Sequence, residues 1–223
     1  LPTGEIIRLG GKHLDAGGLD LLGLITGSEG MLGVVTEATL RILHGPEGAR
    51  PVLFGFASSR DAGACVDAII SSGIIPVAIE FMDRPAIHAT ERFAKAGYPL
   101  DVEALLIVEV EGSQAEIDSL LGRIQAIAAD FKPAYVRVAK TSAESLAIWK
   151  GRKSAFGATG RIADYICMDG TIPTGRLPET LRRIEEIVAH YGLRAANVFH
   201  AGDGNLHPLI LYNVNDPAEA AKA

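Results

Sequence analysis

From Arg50 onward, the apolar residues of the chain follow two alternating patterns. Short runs rich in β-branched residues are typical of strands. Between them lie segments whose apolar residues recur every three or four positions, as on one face of a helix. The predicted strands are 51–57, 77–82, 105–110, 134–138, 165–172 and 195–200. The predicted helices are 61–72, one that starts at Ser113, and one that runs from Pro178 to Gly192.

Local signals at the ends of these segments support the assignment. Ser113 and Glu116 have the spacing of a capping box, and Gly73 and Gly192 stand where two helices would end. The chain then contains three successive strand–helix–strand units. Such units favour an α+β fold with antiparallel or mixed sheets, built as ferredoxin-like split β-α-β sandwiches. An all-parallel, doubly wound sheet would contradict this prediction.

Two segments do not follow the recurrent pattern. The first 45 residues are rich in glycine, and the partial alternation over 34–43 predicts a half-buried strand that ends at the turn 45–48. Residues 139–164 are rich in Lys, Arg, Ser and Gly and lie between the second and third units without a predicted element.

Composition and charge exclude several classes of function. The 223 residues are 48% hydrophobic and 22% charged, which suffices for one or two domains with a core. A net charge of −6 leaves no visible basic face for nucleic acid, and no apolar run reaches the roughly 18 residues of a membrane span. Cys65 and Cys167 lie in apolar stretches without a CxxC motif, which favours buried free thiols in a reducing compartment. We therefore expect a cytoplasmic protein, and leave open an association with the inner face of the membrane.

Both ends look like cuts in a longer chain. The first residue is not Met. Near the other end, Asp216 and Pro217 have the character of an N-cap and a first-turn residue, yet the chain stops at Ala223, about two turns later. We expect the chain to be a fragment.

The first candidate for chemistry is the glycine-rich segment 27–37. Its three glycines in seven residues allow the backbone to approach a ligand closely and to present N–H donors. The alternative is a tight turn that leads into a strand. Neither a GxGxxG motif before a helix nor a Walker motif is present, so the pattern supports no Rossmann or P-loop site.

The second candidate is the small basic cluster in 149–153, which lies beside the single Trp of the chain, Trp149. Arg152 could hold a carboxylate through two parallel hydrogen bonds. The alternative is a solvated basic loop.

The third candidate is the segment 198–210, in which Asp203-Gly204 separates two apolar runs and predicts a two-residue type I′ hairpin. In that register His200 and His207 face each other, and paired imidazoles can bind one metal ion. Zinc, manganese and iron all suit imidazole, and the spacing does not choose between them. The alternative is a pair of polar strand residues, or His200 as a satisfied core histidine.

Taken together, these segments resemble the FAD-linked oxidase family, in its branch of glycolate oxidase flavin subunits, D-lactate dehydrogenases and D-2-hydroxyglutarate dehydrogenases. The segments that carry the resemblance are 24–37, 149–152, 168–173 and 200–207, in the order found in the family. The first is shared with the wider flavin family, and the last is the most specific to this branch.

The resemblance implies an enzyme that oxidises a small 2-hydroxy acid to a 2-oxo acid, with hydride transfer to FAD and onward transfer of electrons to an acceptor or partner subunit. It implies that 1–45 is the C-terminal remnant of the FAD-binding domain, and that 46–223 is the substrate domain, truncated at its C-terminus. The resemblance implies that FAD is contacted by Glu29, Gly30, Gly33 and Val35. It also implies that Arg152 binds the substrate carboxylate and that His200 and His207 are metal ligands.

Three features separate the chain from the family pattern. The N-terminal FAD lobe is missing, and the Glu-His segment that supplies a further metal ligand and a catalytic His would lie beyond Ala223. Some relatives also carry a Lys on the strand where this chain has Tyr165 to Met168. We therefore expect the fragment to be inactive alone, to bind FAD weakly or not at all, and to hold metal weakly or not at all. The rival interpretation is a non-catalytic ferredoxin-like binding or oligomerisation module, which explains the recurrent units but not the paired histidines.

Overall fold

The computed structural model describes residues 1–11 and 17–223, which divide into two compact units, Leu1–Gly45 and Pro46–Ala223. In the first unit a short helix, α1 (Leu21–Ile25), begins after Asp20, whose side chain accepts a hydrogen bond from the N–H of Gly23. The predicted strand 34–43 is wrong, because the structure has no strand there. Alternating apolar residues form a stable strand only when a neighbouring strand pairs with them, and none among the described residues does so.

The second unit contains the remaining helices and strands. The strands are β1 (Gly48–Phe56), β2 (Ala78–Asp83), β3 (Ala104–Gly112), β4 (Tyr135–Val138), β5 (Asp164–Cys167), β6 (Gly170–Thr171), β7 (Arg194–His200), β8 (Asn205–Leu206) and β9 (Pro208–Tyr212). The helices are α2 (Ser59–Ser71), α3 (Arg84–Ala94), α4 (Gln114–Ala129), α5 (Ser142–Gly160), α6 (Leu177–Tyr191) and α7 (Pro217–Lys222).

All pairings between these strands are antiparallel. The sheet runs in the order β4-β1-β3-β2-β7-β8-β6, and β9 pairs with both β7 and β5. Because β3 lies between β1 and β2, the first strand–helix–strand unit is split, as in ferredoxin-like folds. The predicted α+β class is therefore confirmed.

Each face of the sheet packs against its own layer of helices. The core on one face joins Phe54, Phe81 and Phe199 of the strands to buried residues of α2, α4 and α6. The core on the other face joins Leu53, Met82 and neighbouring residues to α3 and α5. Side chains alternate along a strand, so Glu80 projects to the same face as Met82, toward α5.

Most predicted elements lie within a few residues of the observed ones. The predicted capping box is present, since Ser113 accepts a hydrogen bond from the N–H of Glu116 and the Glu116 carboxylate accepts one from the N–H of Ser113. The predicted strand 165–172 is two short strands, β5 and β6, with different partners. The prediction of two buried thiols is half wrong, because Cys65 is buried and Cys167 is exposed.

Helices α3 and α5, which pack on the same face of the sheet, have no counterpart among the predicted elements. The sequence signal for α3 was available, because Asp83 caps it through the N–H of Ala86 and Pro85 stands in the first turn. Helix α5 has no stripe of large apolar residues. Its buried face is made largely of small and polar residues, namely Ile148, Gly151, Arg152, Ala155, Ala158 and Thr159. The interpretation of 149–153 as a solvated loop is therefore wrong.

The cap of α3 gives a pH-dependent prediction. Burial raises the pKa of the Asp83 carboxyl to about 7, against hydrogen bonds from Ala86 and Asn197 that lower it. The pKa in the folded state thus exceeds that of an unfolded Asp, so the folded chain retains a proton that the unfolded chain loses above about pH 4. We expect the free energy of unfolding to fall as pH rises from about 4 to 7, by up to about 1.4 kcal/mol per pH unit from this group. Denaturant unfolding at several pH values measures this dependence. The free energy of unfolding of Asp83→Ala should fall less steeply with pH than that of the wild type, and equal slopes for the two proteins would contradict the assignment.

Among residues 1–11 and 17–223, no helix is both long enough and apolar enough to cross a membrane.

Candidate functional site

Glu80 links the predicted site residues of the second unit. It lies on β2 directly beside His200 of β7 in the antiparallel register. Its Oε1 is 2.9 Å from His200 Nδ1, and its Oε2 accepts a hydrogen bond of 2.9 Å from Nε of Arg152. One carboxylate therefore bridges an imidazole on the sheet and a guanidinium on α5.

Arg152 is buried, and it is not a free cation. Its side chain is 8% exposed, and that of Glu80 is 7% exposed. The Nη2 atom lies 2.7 Å from Glu80 Oε2, but in an orientation that leaves it without a hydrogen-bond partner among the described residues. A buried guanidinium whose Nη2 donors are unused retains the capacity to bind a further anionic oxygen.

The two predicted histidines are neighbours, but by a different route from the one predicted. The type I′ hairpin is wrong, because Ala201–Asp203 form a turn of 3-10 helix and Gly204 has a left-handed backbone with φ of 68°. The register is also wrong, since His200 pairs with Asn205. The rings of His200 and His207 nevertheless lie edge to face, with 5.4 Å between their centres and 88° between their planes.

Two side chains lie beside the His207 ring. The ring packs edge to face on Phe156 of α5, with 6.0 Å between ring centres, and its Nδ1 is 3.6 Å from Asp169 Oδ1. The same Asp169 oxygen accepts a 3.1 Å hydrogen bond from Nδ2 of Asn205, whose own Oδ1 is buried without a partner among the described residues. Each imidazole thus has a carboxylate beside Nδ1.

The spacing of the two rings is compatible with one shared metal ion. A ring nitrogen bound at about 2.1 Å puts the ring centre about 3.2 Å from the ion, and a tetrahedral angle then separates two ring centres by about 5.2 Å. The observed 5.4 Å is close to this separation. Among residues 1–11 and 17–223, however, no group of three or more His, Cys, Asp or Glu side chains could hold a metal ion. The pair therefore provides half of a typical ligand set.

The glycine-rich segment lies in the first unit, where Glu29 and Gly30 have left-handed backbones with φ of 49° and 80°. The N–H groups of Glu29, Gly30, Gly33 and Val35 donate to no acceptor among the described residues. Gly33 and Val35 line a cavity of about 320 Å³, whereas Glu29 and Gly30 are not part of its lining. The segment thus offers free backbone donors, as a cofactor-binding loop would.

The sequence reasoning missed Glu80. A signal was present, because Glu80 is the single charged residue in the otherwise apolar run 77–82 before Asp83. Charged residues are seldom fully buried without a partner, so an acid at an inward strand position indicates a nearby cation or imidazole.

Comparison with known proteins identifies the family. The sequence model described as "FAD linked oxidases, C-terminal domain" matches residues 46–223. The chain belongs to the FAD-linked oxidase family. As a family member it shares 49% identity over 221 residues with glycolate oxidase subunit GlcD of Escherichia coli strain K12. That alignment covers 99% of the chain and 44% of the relative.

Other FAD-linked oxidase relatives give the same picture. Glycolate oxidase subunit GlcD of Bacillus subtilis strain 168 is 35% identical over 98% of the chain and 47% of its own length. D-lactate dehydrogenase of Anaerostipes hadrus is 30% identical over the whole chain and 49% of its own length. The chain therefore spans about half the length of these relatives or less.

Solved structures share the fold at low identity. A structure of alkyldihydroxyacetonephosphate synthase superposes with a TM-score of 0.66 at 18% identity, over 93% of the chain and 43% of that protein. A structure of 4-ethylphenol oxidase from Gulosibacter chungangensis gives a TM-score of 0.61 at 13% identity, over 79% of the chain and 42% of that protein. At such identities the likeness concerns the fold of this oxidase domain.

Proposed function

We propose that the protein to which this chain belongs oxidises a small 2-hydroxy acid, of the glycolate or D-lactate type, to the 2-oxo acid. The observation that carries the proposal is the cluster of Arg152, Glu80, His200 and His207 within an FAD-linked oxidase domain. The named activities of the glycolate oxidase and D-lactate dehydrogenase relatives support the same substrate class.

We propose that Arg152 binds the carboxylate of the substrate. Its buried position supports this role, because a hydrogen bond from a charged donor is stronger where water is excluded. Nη2 is a buried donor without a hydrogen bond among the described residues, and a carboxylate oxygen is a suitable acceptor. Glu80 would then hold the guanidinium in place through the hydrogen bond from Nε.

We propose that His200 and His207 are two ligands of a divalent ion such as zinc, manganese or iron. When bound, the ion supplies a Lewis acid that lowers the pKa of the substrate hydroxyl. The edge-to-face rings and the Glu80 carboxylate on Nδ1 of His200 support the role, since metal-bound histidines are commonly held by a carboxylate on the other nitrogen. With two ligands, the binding of metal by this chain alone should be weak.

We propose that the first unit is the C-terminal remnant of an FAD-binding domain, and that the second is the substrate domain, truncated at its C-terminus. Glu29, Gly30, Gly33 and Val35 would contact the cofactor through backbone donors that have no acceptor among the described residues. When bound, FAD supplies the acceptor for the hydride. An electron acceptor or partner subunit would then reoxidise the protein, which we place in the cytoplasm or at the inner face of the membrane.

Anaerobic mixing of the full-length protein with glycolate, D-lactate and L-lactate tests the proposal. We expect loss of the oxidised flavin absorbance with at least one of these acids. In Arg152→Lys, which keeps the charge but loses the planar fork, KM should rise about 10- to 100-fold, because a charge-assisted hydrogen bond contributes about 1.5–3 kcal/mol.

Arg137→Lys is a matched control, because Arg137 donates a hydrogen bond to the Gly97 carbonyl and contacts neither histidine. Its KM should remain that of the wild type. A flavin that none of the acids reduces would reject the substrate class. Unchanged kinetics of Arg152→Lys on glycolate and lactate would reject the role of Arg152 alone.

A further inference from the structure

Glu80 makes two different contacts with its two oxygens. Oε1 is hydrogen-bonded to Nδ1 of His200, and Oε2 accepts a hydrogen bond from the guanidinium of Arg152. The carboxylate is 7% exposed, whereas the side chain of His200 is 48% exposed. The His200 ring is thus anchored at Nδ1 on the protein side, and its other edge remains open.

A carboxylate oxygen can only accept a hydrogen bond, so a neutral imidazole beside it must carry its proton on Nδ1. Nε2 is then unprotonated, and its lone pair is available to a cation or a hydrogen-bond donor. The bond to Arg152 makes this arrangement stable, because the guanidinium balances the buried negative charge of Glu80.

We propose that Glu80 is the positioning residue of the site, and that it fixes His200 as the Nδ1–H tautomer with Nε2 free for ligation. The consequence for metal binding rests on the proposed function, whereas the tautomer is measured without metal. The pairing of Glu80 directly opposite His200 on neighbouring strands makes the contact a property of the sheet register.

The variant Glu80→Gln distinguishes this role from simple packing. Glutamine has nearly the same shape, but only one of its terminal atoms accepts hydrogen bonds, and the other donates. The guanidinium of Arg152 can only donate and should take the amide oxygen, which leaves the amide NH₂ facing His200 Nδ1. The ring should therefore change to the Nε2–H tautomer.

We would record the nitrogen-15 spectra of the imidazoles under alkaline conditions that keep them neutral, with His200→Gln to assign the signals. The wild type should show a protonated Nδ1, and Glu80→Gln should show a protonated Nε2. Titration with zinc alone should give about 10- to 100-fold weaker binding for Glu80→Gln than for the wild type, the usual effect of losing the partner of a ligating histidine.

Glu109→Gln is the matched control. Glu109 lies on the neighbouring strand β3 and accepts a 2.7 Å hydrogen bond from Trp149 Nε1 of the same helix, α5. It should change neither the tautomer of His200 nor the affinity for zinc.

The outcomes separate the two proposals. An Nε2–H tautomer in the wild type would overturn the role of Glu80 even if Glu80→Gln does not fold. An unchanged tautomer in a folded Glu80→Gln, or equal affinities where both proteins bind zinc, would also overturn it. If the wild type binds no zinc while the tautomer follows Glu80, the metal role of His200 fails and the positioning role of Glu80 stands.

Discussion

Replacing either partner of the buried ion pair should destabilise the protein by about 3–5 kcal/mol, since Arg152→Met or Glu80→Met leaves one charge buried without its partner. Both side chains are less than a tenth exposed, so water cannot take the place of the missing group. The double variant Glu80→Met/Arg152→Met has no such charge. We expect most of the lost stability to return in that protein.

Denaturant unfolding of the four proteins gives the coupling energy directly. The pair Arg84 and Glu103 is an exposed control, because each of its side chains is 47% exposed. The corresponding single Met variants should cost less than about 1 kcal/mol, as exposed ion pairs generally do. Two results would contradict the role of the buried pair in stability. In the first, the single variants at Glu80 and Arg152 lose no more free energy of unfolding than the control variants. In the second, the double variant loses the sum of the two single losses.

Gly151→Ala should lower the free energy of unfolding by about 1–3 kcal/mol, the usual cost of overfilling a packed core. An added Cβ would lie 2.6 Å from Tyr98 Cζ and 2.7 Å from the Cβ of Ala96, closer than real contacts allow. The ring cannot withdraw cheaply, because the Tyr98 hydroxyl donates a buried 2.5 Å hydrogen bond to the Ile148 carbonyl. The strain therefore falls on the packing of α5 against the segment after α3.

Gly157→Ala on the same helix is the matched comparison, since an added Cβ there meets nothing within 4 Å. It should stabilise the protein by about 0.5–1 kcal/mol through helix propensity alone. Thermal or denaturant unfolding of both variants measures the difference. Equal stability of Gly151→Ala and Gly157→Ala would show that α5 does not pack as closely as the structure indicates.

The elements with strong local signals were predictable from the sequence. The β-branched strands, the capping box at Ser113 and the glycine after α6 each act over a few residues, so the sequence contains the whole signal. Helix α5 was missed because its buried face needs small residues to approach Tyr98, and the position of that ring is set by the fold. The strand expected over 34–43 failed for the converse reason, since a strand requires a partner that its own residues do not specify.

The site divides in the same way. The sequence by itself determined that Arg152, His200 and His207 are the candidate polar residues of this domain, and that the glycines of 27–33 allow a close backbone approach. It did not determine how the residues meet. Only the antiparallel pairing of β2 with β7 brings Glu80 beside His200, and only the 3-10 turn after β7 brings His207 against its ring. These contacts join positions as many as 120 residues apart, and they depend on the sheet register. The hydrophobic pattern alone is compatible with several strand pairings, so it does not specify that register.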